Sequence, residues 1–214
     1  RLVAPALPVG QVHLTVVRGV QPAVIEGAIA VEAAFHALVA VSPHVADLLR
    51  AAGARQPVHL IPNAVMIHGE GRSALYEPLR LGYLGRLGDT QKNEVMLPRI
   101  AQACRDMDLE FQFRIAGDGR TREELRAKFR RTGVEDWVRM LGAIRRDEVS
   151  DFFRGVSVAV FPSRFEGFGL TLAEAMGVGC VPVASNIPSY RWILGDLAGE
   201  LTVPIDDASA YARA

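Results

Sequence analysis

The sequence predicts an α/β fold built on parallel sheets, with one doubly wound, Rossmann-like domain preceded by part of a second. Three observations carry that prediction. Apolar runs of strand length alternate with helical patterns along almost all of the 214 residues. The connections between them are short, as βα units require. One stretch, residues 63–79, loses its periodicity and gathers glycine, proline and serine. It reads as an interdomain linker between a partial domain at 1–62 and a fuller one at 80–214.

In the first domain, residues 12–17 read as a strand, 22–35 as a helix and 37–41 as a second strand. That strand runs into Ser42-Pro43, where Ser42 suits the N-cap and Pro43 the first helical position. The helix ends near Gly53, and 58–61 is a short strand. In the second domain, strands are expected at 81–85, 110–116, 138–141, 156–161, 180–184 and 200–203. Helices are expected at 94–105, 121–131, 146–154 and 170–177, with a short one at 189–194. A core of this size is within reach of 214 residues.

Composition narrows the function. Half the residues are apolar and the formal net charge is zero, so nothing points to nucleic acid as a partner. No apolar run reaches membrane-spanning length and no signal-peptide pattern opens the chain. Cys104 and Cys180 are isolated and lack metal-ligand spacing, which fits a reduced, cytoplasmic setting. Lysine occurs only at Lys92 and Lys128, against 22 arginines, so each retained lysine invites scrutiny. The chain opens on Arg1 and stops at Ala214 in what reads as the first turn of a helix, and so is expected to be a piece of a longer protein.

The most informative stretch is Pro162-Ser163-Arg164-Phe165-Glu166-Gly167-Phe168-Gly169-Leu170-Thr171-Leu172-Ala173-Glu174-Ala175-Met176. A buried strand leads into two glycines and then a helix beginning near Leu170. Unpaired N–H groups and the dipole at a helix start favour an anion, and glycine lets the backbone approach it. Glu166 and Glu174, eight positions apart, add acceptors suited to sugar hydroxyls. Phosphate and polyol recognition in one loop points to a nucleotide-sugar.

Ligands of open parallel sheets bind at the carboxyl ends of the strands. Arg86, from Gly85-Arg86-Leu87, and Lys92 both leave that edge of the strand at 81–85, where they suit a diphosphate and the charge developing on its departure. Two solvated surface charges are the plainer alternative. Gly119, in Gly117-Asp118-Gly119, stands at the same edge, although most Gly-x-Gly turns only relieve a tight bend. Gly142 and Ala143 follow the next strand and can offer backbone groups to a nucleobase. Asp106-Met107-Asp108 could in principle hold a divalent cation, but it precedes a strand and so falls at the opposite edge. His36 reads as packed or surface-facing, and Arg164 and Arg191 as ion-pairing surface residues.

Taken together, these segments resemble the retaining, metal-independent GT-B glycosyltransferases of group 1. The likeness runs from about Ala37 to Ile205. It is carried by Ala40-Val41-Ser42, Ile61-Pro62-Asn63-Ala64-Val65, Gly85-Arg86-Leu87 with Lys92, and Ile115-Ala116-Gly117-Asp118-Gly119. The loop from Pro162 to Leu170, then Glu174-Ala175-Met176-Gly177 and Pro182-Val183-Ala184-Ser185, complete it. The resemblance implies transfer of a hexosyl unit from a UDP- or GDP-linked sugar to a glycan or lipid-linked acceptor, without metal or other cofactor. It implies that Glu166 contacts the donor sugar and that Glu174 holds the ribose. Arg86 and Lys92 would bind the diphosphate, assisted by backbone N–H groups of Gly167, Phe168, Gly169, Leu170 and Thr171. A cytoplasmic protein, or one peripheral on the inner membrane face, is the matching expectation.

The sequence departs from the pattern in places. Ala64 replaces a frequent glycine, and Asn186-Ile187-Pro188-Ser189-Tyr190-Arg191 replaces a common glycine pair. Val17-Arg18-Gly19 stands where the family often has a histidine, which leaves Arg18 as a guess for that place. The early part of the N-terminal domain and a C-terminal crossing helix are missing from the pattern, so the chain by itself is expected to bind donor weakly and turn over little. Two alternatives share the fold: a non-hydrolysing nucleotide-sugar epimerase, and a nucleotide-sugar-binding scaffold without turnover.

Overall fold

The computed structural model describes residues 12–71, 73–88 and 90–214, and every strand among them pairs in parallel. The first eleven residues of the domain expected over 1–62 lie outside the described residues. By their contacts the residues fall into two units: those up to Ala64 with Phe165–Phe168, and Val65–Arg164 with Gly169–Ala214.

The first unit runs β1 (Leu14–Val17), α1 (Pro22–Val31), β2 (Ala37–Ala40), α2 (Pro43–Ala51) and β3 (Val58–Leu60). Its sheet order is β1-β2-β3. All four residues of β2, the central strand, are buried. The expected cap forms: Ser42 Oγ accepts from Val45 N–H at 3.3 Å and Pro43 opens the helix. The helix expected to reach residue 35 is α-helical only to Val31 and then tightens into a 3₁₀ turn at Glu32–Ala34. There the buried Glu32 carboxylate accepts from Arg55 N–H at 2.9 Å and Gln56 N–H at 3.3 Å, tying the turn to the approach of β3.

The second unit opens with β4 (Leu79–Leu84), α3 (Leu97–Asp106), β5 (Phe111–Ala116), α4 (Arg122–Arg131), β6 (Val138–Gly142) and α5 (Val149–Arg154). It continues with β7 (Val158–Phe161), α6 (Leu170–Gly177), β8 (Val181–Ser185), α7 (Pro188–Leu194), α8 (Ala198–Leu201), β9 (Thr202–Val203) and α9 (Ala208–Arg213). Strand order is β6-β5-β4-β7-β8-β9, so the direction of winding reverses between β4 and β7. Such a doubly wound sheet is covered on both faces, and alternate side chains divide accordingly. Val160 and Val183 join one core with Phe113, Phe129 and Ile100. Ala159, Phe161 and Ala184 join the other with Phe153, Leu172 and Tyr190.

Several boundaries differ from the sequence expectation. The strand expected at 200–203 is reduced to β9, because residues 198–201 form α8 and Thr202 Oγ1 bonds back to Ala198 O at 2.7 Å. The helices expected from 94 and from 146 begin as 3₁₀ turns, Glu94–Met96 and Arg146–Glu148. Residues 65–71 and 73–78 carry no helix or strand, in keeping with their lost periodicity, and they group with the second unit. Arg154 donates to the carbonyls of His68, Gly69 and Gly71, and Tyr76 Oη donates to Arg154 O at 2.8 Å.

Beyond the strand ends the backbone keeps pairing. Gly85 N–H donates to Ala116 O at 3.1 Å, Leu87 N–H to Asp118 O at 3.0 Å, and Gly117 N–H to Gly142 O at 2.7 Å. The loops after β4, β5 and β6 therefore lie side by side. Gly119 has φ +153°, and a Cβ there would fall 1.6 Å from Leu87 O, an overlap that only a backbone shift relieves. Close approach of two loops, rather than contact with a ligand, is thus enough to require this glycine.

Two predictions concern stability. Phe113→Ala removes a fully buried ring packed edge-on against Phe129 and should cost about 3–5 kcal/mol in urea unfolding. Gly119→Ala should cost roughly 1–3 kcal/mol through strain alone. A Gly119→Ala protein with unchanged Tm would show that the two loops are not held in register.

Candidate functional site

Reversal of winding between β4 and β7 opens the carboxyl edge of the second unit where the loops after these two strands diverge. The loop after β4 carries Gly85, Arg86, Lys92 and Asn93; that after β7 starts with Pro162, Ser163 and Arg164. Arg86 is exposed and Lys92 half-buried, both on the predicted edge.

Three polar residues not singled out in the sequence hold these loops. Asn93, buried and left-handed at φ 53°, donates through Nδ2 to Pro162 O at 3.0 Å and to Asp206 Oδ1 at 3.0 Å. Arg164 grips the same Asp206 with two bonds, at 2.8 and 2.9 Å, and its N–H donates to Gln91 O at 2.8 Å. Arg164 is therefore the ion-pairing residue expected. The Asn93 amide, and then the Arg164 guanidinium, hold the Asp206 carboxyl below the usual aspartate range. Buried Glu94 accepts through Oε1 from Gly88 N–H and Thr121 Oγ1, both at 2.8 Å, joining the loops after β4 and β5. Asn93 and Glu94 follow Lys92 directly, so their only sequence signal is position at a strand's carboxyl edge. Asp206, 113 residues from Asn93, carries none.

The helix α6 starts where the sequence placed it. Its N-cap, Gly169, has φ +118°, and a Cβ there would lie 2.8 Å from the Tyr190 ring. Tyr190 Oη in turn donates to Ser163 Oγ at 3.0 Å, so the ring that requires glycine also fastens the loop after β7. No side chain caps the helix, while Leu172 and Ala173 N–H groups both reach Gly169 O at 3.1 Å. The first turn, with Leu170 and Thr171, thus presents backbone N–H groups at a positive helix end.

Glu174 lies in the second turn of α6. Its side chain is 2% exposed, and neither carboxylate oxygen has a hydrogen-bond partner among the described residues. Arg146, whose side chain is 61% exposed, brings Nη2 to 2.6 Å from Glu174 Oε1. That contact pairs the two charges at one carboxylate oxygen. Burial pushes the Glu174 carboxyl above the ordinary glutamate range, and the Arg146 charge draws it part of the way back. A buried, ion-paired carboxylate with unfilled acceptor sites is costly to a fold and useful to a site that receives hydroxyls.

The remaining expected residues are placed as follows. Gly142, buried with φ +80°, ends β6, and Ala143 is exposed beside it. Glu166, Gly167 and Phe168 are buried within the short segment that groups with the first unit. Arg18 is exposed just after β1. Asp106 ends α3 and Asp108 lies in the turn before β5, at the amino edge, as expected; no group of three metal-ligating side chains occurs among the described residues. His36 Nδ1 accepts from His13 N–H at 3.0 Å and its ring stacks on His13, a packing role. Burial raises the thiols of Cys104 to about 11 and of Cys180 to about 12, which leaves both poor nucleophiles.

Comparison with known proteins identifies the family and the fold. The family model for glycosyl transferases group 1 matches residues 78–214. A D-inositol 3-phosphate glycosyltransferase of Streptomyces griseus is 30% identical over 141 residues, covering 62% of this chain and 30% of that protein. A GDP-mannose:cellobiosyl-diphosphopolyprenol alpha-mannosyltransferase of Komagataeibacter xylinus is 33% identical over 93 residues, covering 44% of this chain and 24% of that protein. The chain thus spans about a third or less of the length of these curated relatives. Anabaena HepE, solved with UDP and glucose, superposes with a TM-score of 0.76 at 17% identity, over 94% of this chain and 60% of its own. The fold is therefore that of the GT-B enzymes. With the family model spanning the whole six-stranded sheet, the chain belongs to the group 1 glycosyl transferases.

Proposed function

We propose that the second unit binds the nucleotide-sugar donor of a retaining, metal-independent hexosyltransferase of glycan biosynthesis. The observation that carries this reading is the Glu174 carboxylate, buried beneath the carboxyl edge of the sheet with its oxygens unfilled. It suits the two ribose hydroxyls. Arg86 and Lys92 supply positive charge for the diphosphate, together with the N–H groups of Gly167, Phe168, Gly169, Leu170 and Thr171. Gly142 and Ala143 offer backbone groups to the base, with Gly119 lining the same edge. Glu166 is assigned to the donor sugar near the reacting carbon. Cations and helix N–H groups stabilise a departing diphosphate directly, so the mechanism requires no metal or other cofactor.

UDP- and GDP-linked donors are both in keeping with the relatives: HepE was solved with UDP, and the Komagataeibacter enzyme is named for GDP-mannose. The acceptor is a glycan or lipid-linked hydroxyl; nucleic acid is not a partner. No helix among the described residues is long and apolar enough to cross a membrane. We place the protein in the cytoplasm, or peripherally on the inner membrane face.

Calorimetric titration with UDP, GDP and ADP, first without metal and then with Mg²⁺, tests the reading. One nucleotide should bind without metal, and Arg86→Ala or Glu174→Ala should weaken it by about tenfold or more. In the intact protein, Glu166→Ala should lower kcat by at least about a hundredfold with a smaller change in KM. Binding of all three nucleotides unaffected by Arg86→Ala and Glu174→Ala would overturn the assignment.

A further inference from the structure

We infer that Arg146 is a positioning residue that keeps the buried Glu174 carboxylate ionised and oriented to accept ligand hydroxyls. Glu174 is withdrawn from water to 2% exposure, whereas Arg146 remains 61% exposed and reaches in from the 3₁₀ turn after β6. An isolated carboxylate so buried would tend to take up a proton, and the protonated form is a poorer acceptor. Arg146 opposes that from one side, at Oε1, and a carboxylate with about four acceptor sites keeps the rest of them for a ligand.

The surroundings leave this role to Arg146. The elements that pack most on α6 are α5, β7 and β8; α7 touches its N-cap through Tyr190, and the arginine of α7, Arg191, is exposed. No residue of β7 or β8 is titratable. On α5, Arg154 pairs with Asp151 at 2.7 Å and is otherwise spent on the carbonyls of residues 68–71. In the turn that carries Arg146, Asp147 is paired with Arg145, and Glu148 Oε2 accepts from Arg145 N–H at 2.7 Å. Arg146 is thus the cation that acts on Glu174 among the described residues.

The sign of the effect follows. Burial already raises the Glu174 pKa and Arg146 lowers it, so removing the guanidinium raises it further. The ligand-binding form is the carboxylate, so binding weakens as pH falls through that pKa, and the acidic limb moves to higher pH in the variant. The binding part of the inference rests on the nucleotide reading above; the titration part does not.

The experiment pairs the two. In ¹³C-glutamate-labelled protein, the Glu174 carboxyl signal, identified by its loss in Glu174→Gln, is followed against pH in the parent, Arg146→Gln and Arg146→Lys. Its midpoint should move to higher pH in Arg146→Gln and stay near the parent in Arg146→Lys. Calorimetry with UDP and GDP should show Arg146→Gln weakening binding by about tenfold at pH 6 and less at pH 8. Lysine should restore most of the loss, and Arg146→Gln should add no pH dependence to Glu174→Gln. An unmoved midpoint overturns the inference, as does tighter binding in Arg146→Gln, which would make Arg146 a plug in the ligand's place. A shifted midpoint in a protein that binds neither nucleotide supports the ion-pair role and overturns the nucleotide reading instead.

Discussion

Reversal of strand order between β4 and β7 is the constraint from which the rest of the second unit follows. Strands β5 and β6 are laid down on one side of β4, and the chain must then cross back to place β7, β8 and β9 on the other. The loops leaving β4 and β7 consequently part above the sheet, and the edge between them has no strand connection to close it. Three side chains do that work instead. Asn93 spans from its own loop to Pro162 O and to Asp206, and Arg164 clamps Asp206 from the β7 side. The two loops are thus tied to each other by hydrogen bonds. Polar groups exposed there can therefore meet a ligand without dismantling a core.

How far this was legible in the sequence depended on the range of the interaction. Local rules worked: Ser42-Pro43 capped α2, and the glycines before Leu170 started α6 at the expected residue. Alternation of apolar runs revealed the parallel sheet, because strands buried on both faces must be apolar on both. Periodicity does not distinguish a 3₁₀ turn from a first α turn, so in the sequence residues 94–96 and 146–148 read as part of the helices that follow them. The two-residue β9 was too short to register against α8.

The candidate site divides along the same line. Arg86, Lys92 and Glu174 could be picked out because strand, turn and helix are contiguous in the chain. Asn93 with Asp206, and Arg146 with Glu174, could not, since each pair is brought together only by the sheet. Gly119 shows the opposite risk. Its motif invites a ligand role, yet the carbonyl of Leu87 alone suffices to exclude a side chain. A glycine at a strand's carboxyl end is thus weaker testimony than a buried charge, because tight loops need glycine whether or not anything binds.

A buried charge speaks more strongly because a fold gains little from it. Pairing a buried carboxylate with a largely exposed arginine recovers little of the cost of its burial, so Glu174 and Arg146 are poorly explained as a stabilising pair. Were stability the purpose, the carboxylate would be expected to fill its acceptor sites with nearby N–H groups, as Glu32 does with Arg55 and Gln56 and Glu94 does with Gly88 and Thr121. Those two carboxylates set the standard within the same chain: both are buried, and both are hydrogen-bonded. Glu174 is as deeply buried and keeps its oxygens unfilled, paired only with a cation that reaches in from solvent. That difference between carboxylates of one chain, not the burial alone, is what the ribose assignment proposed for Glu174 rests on.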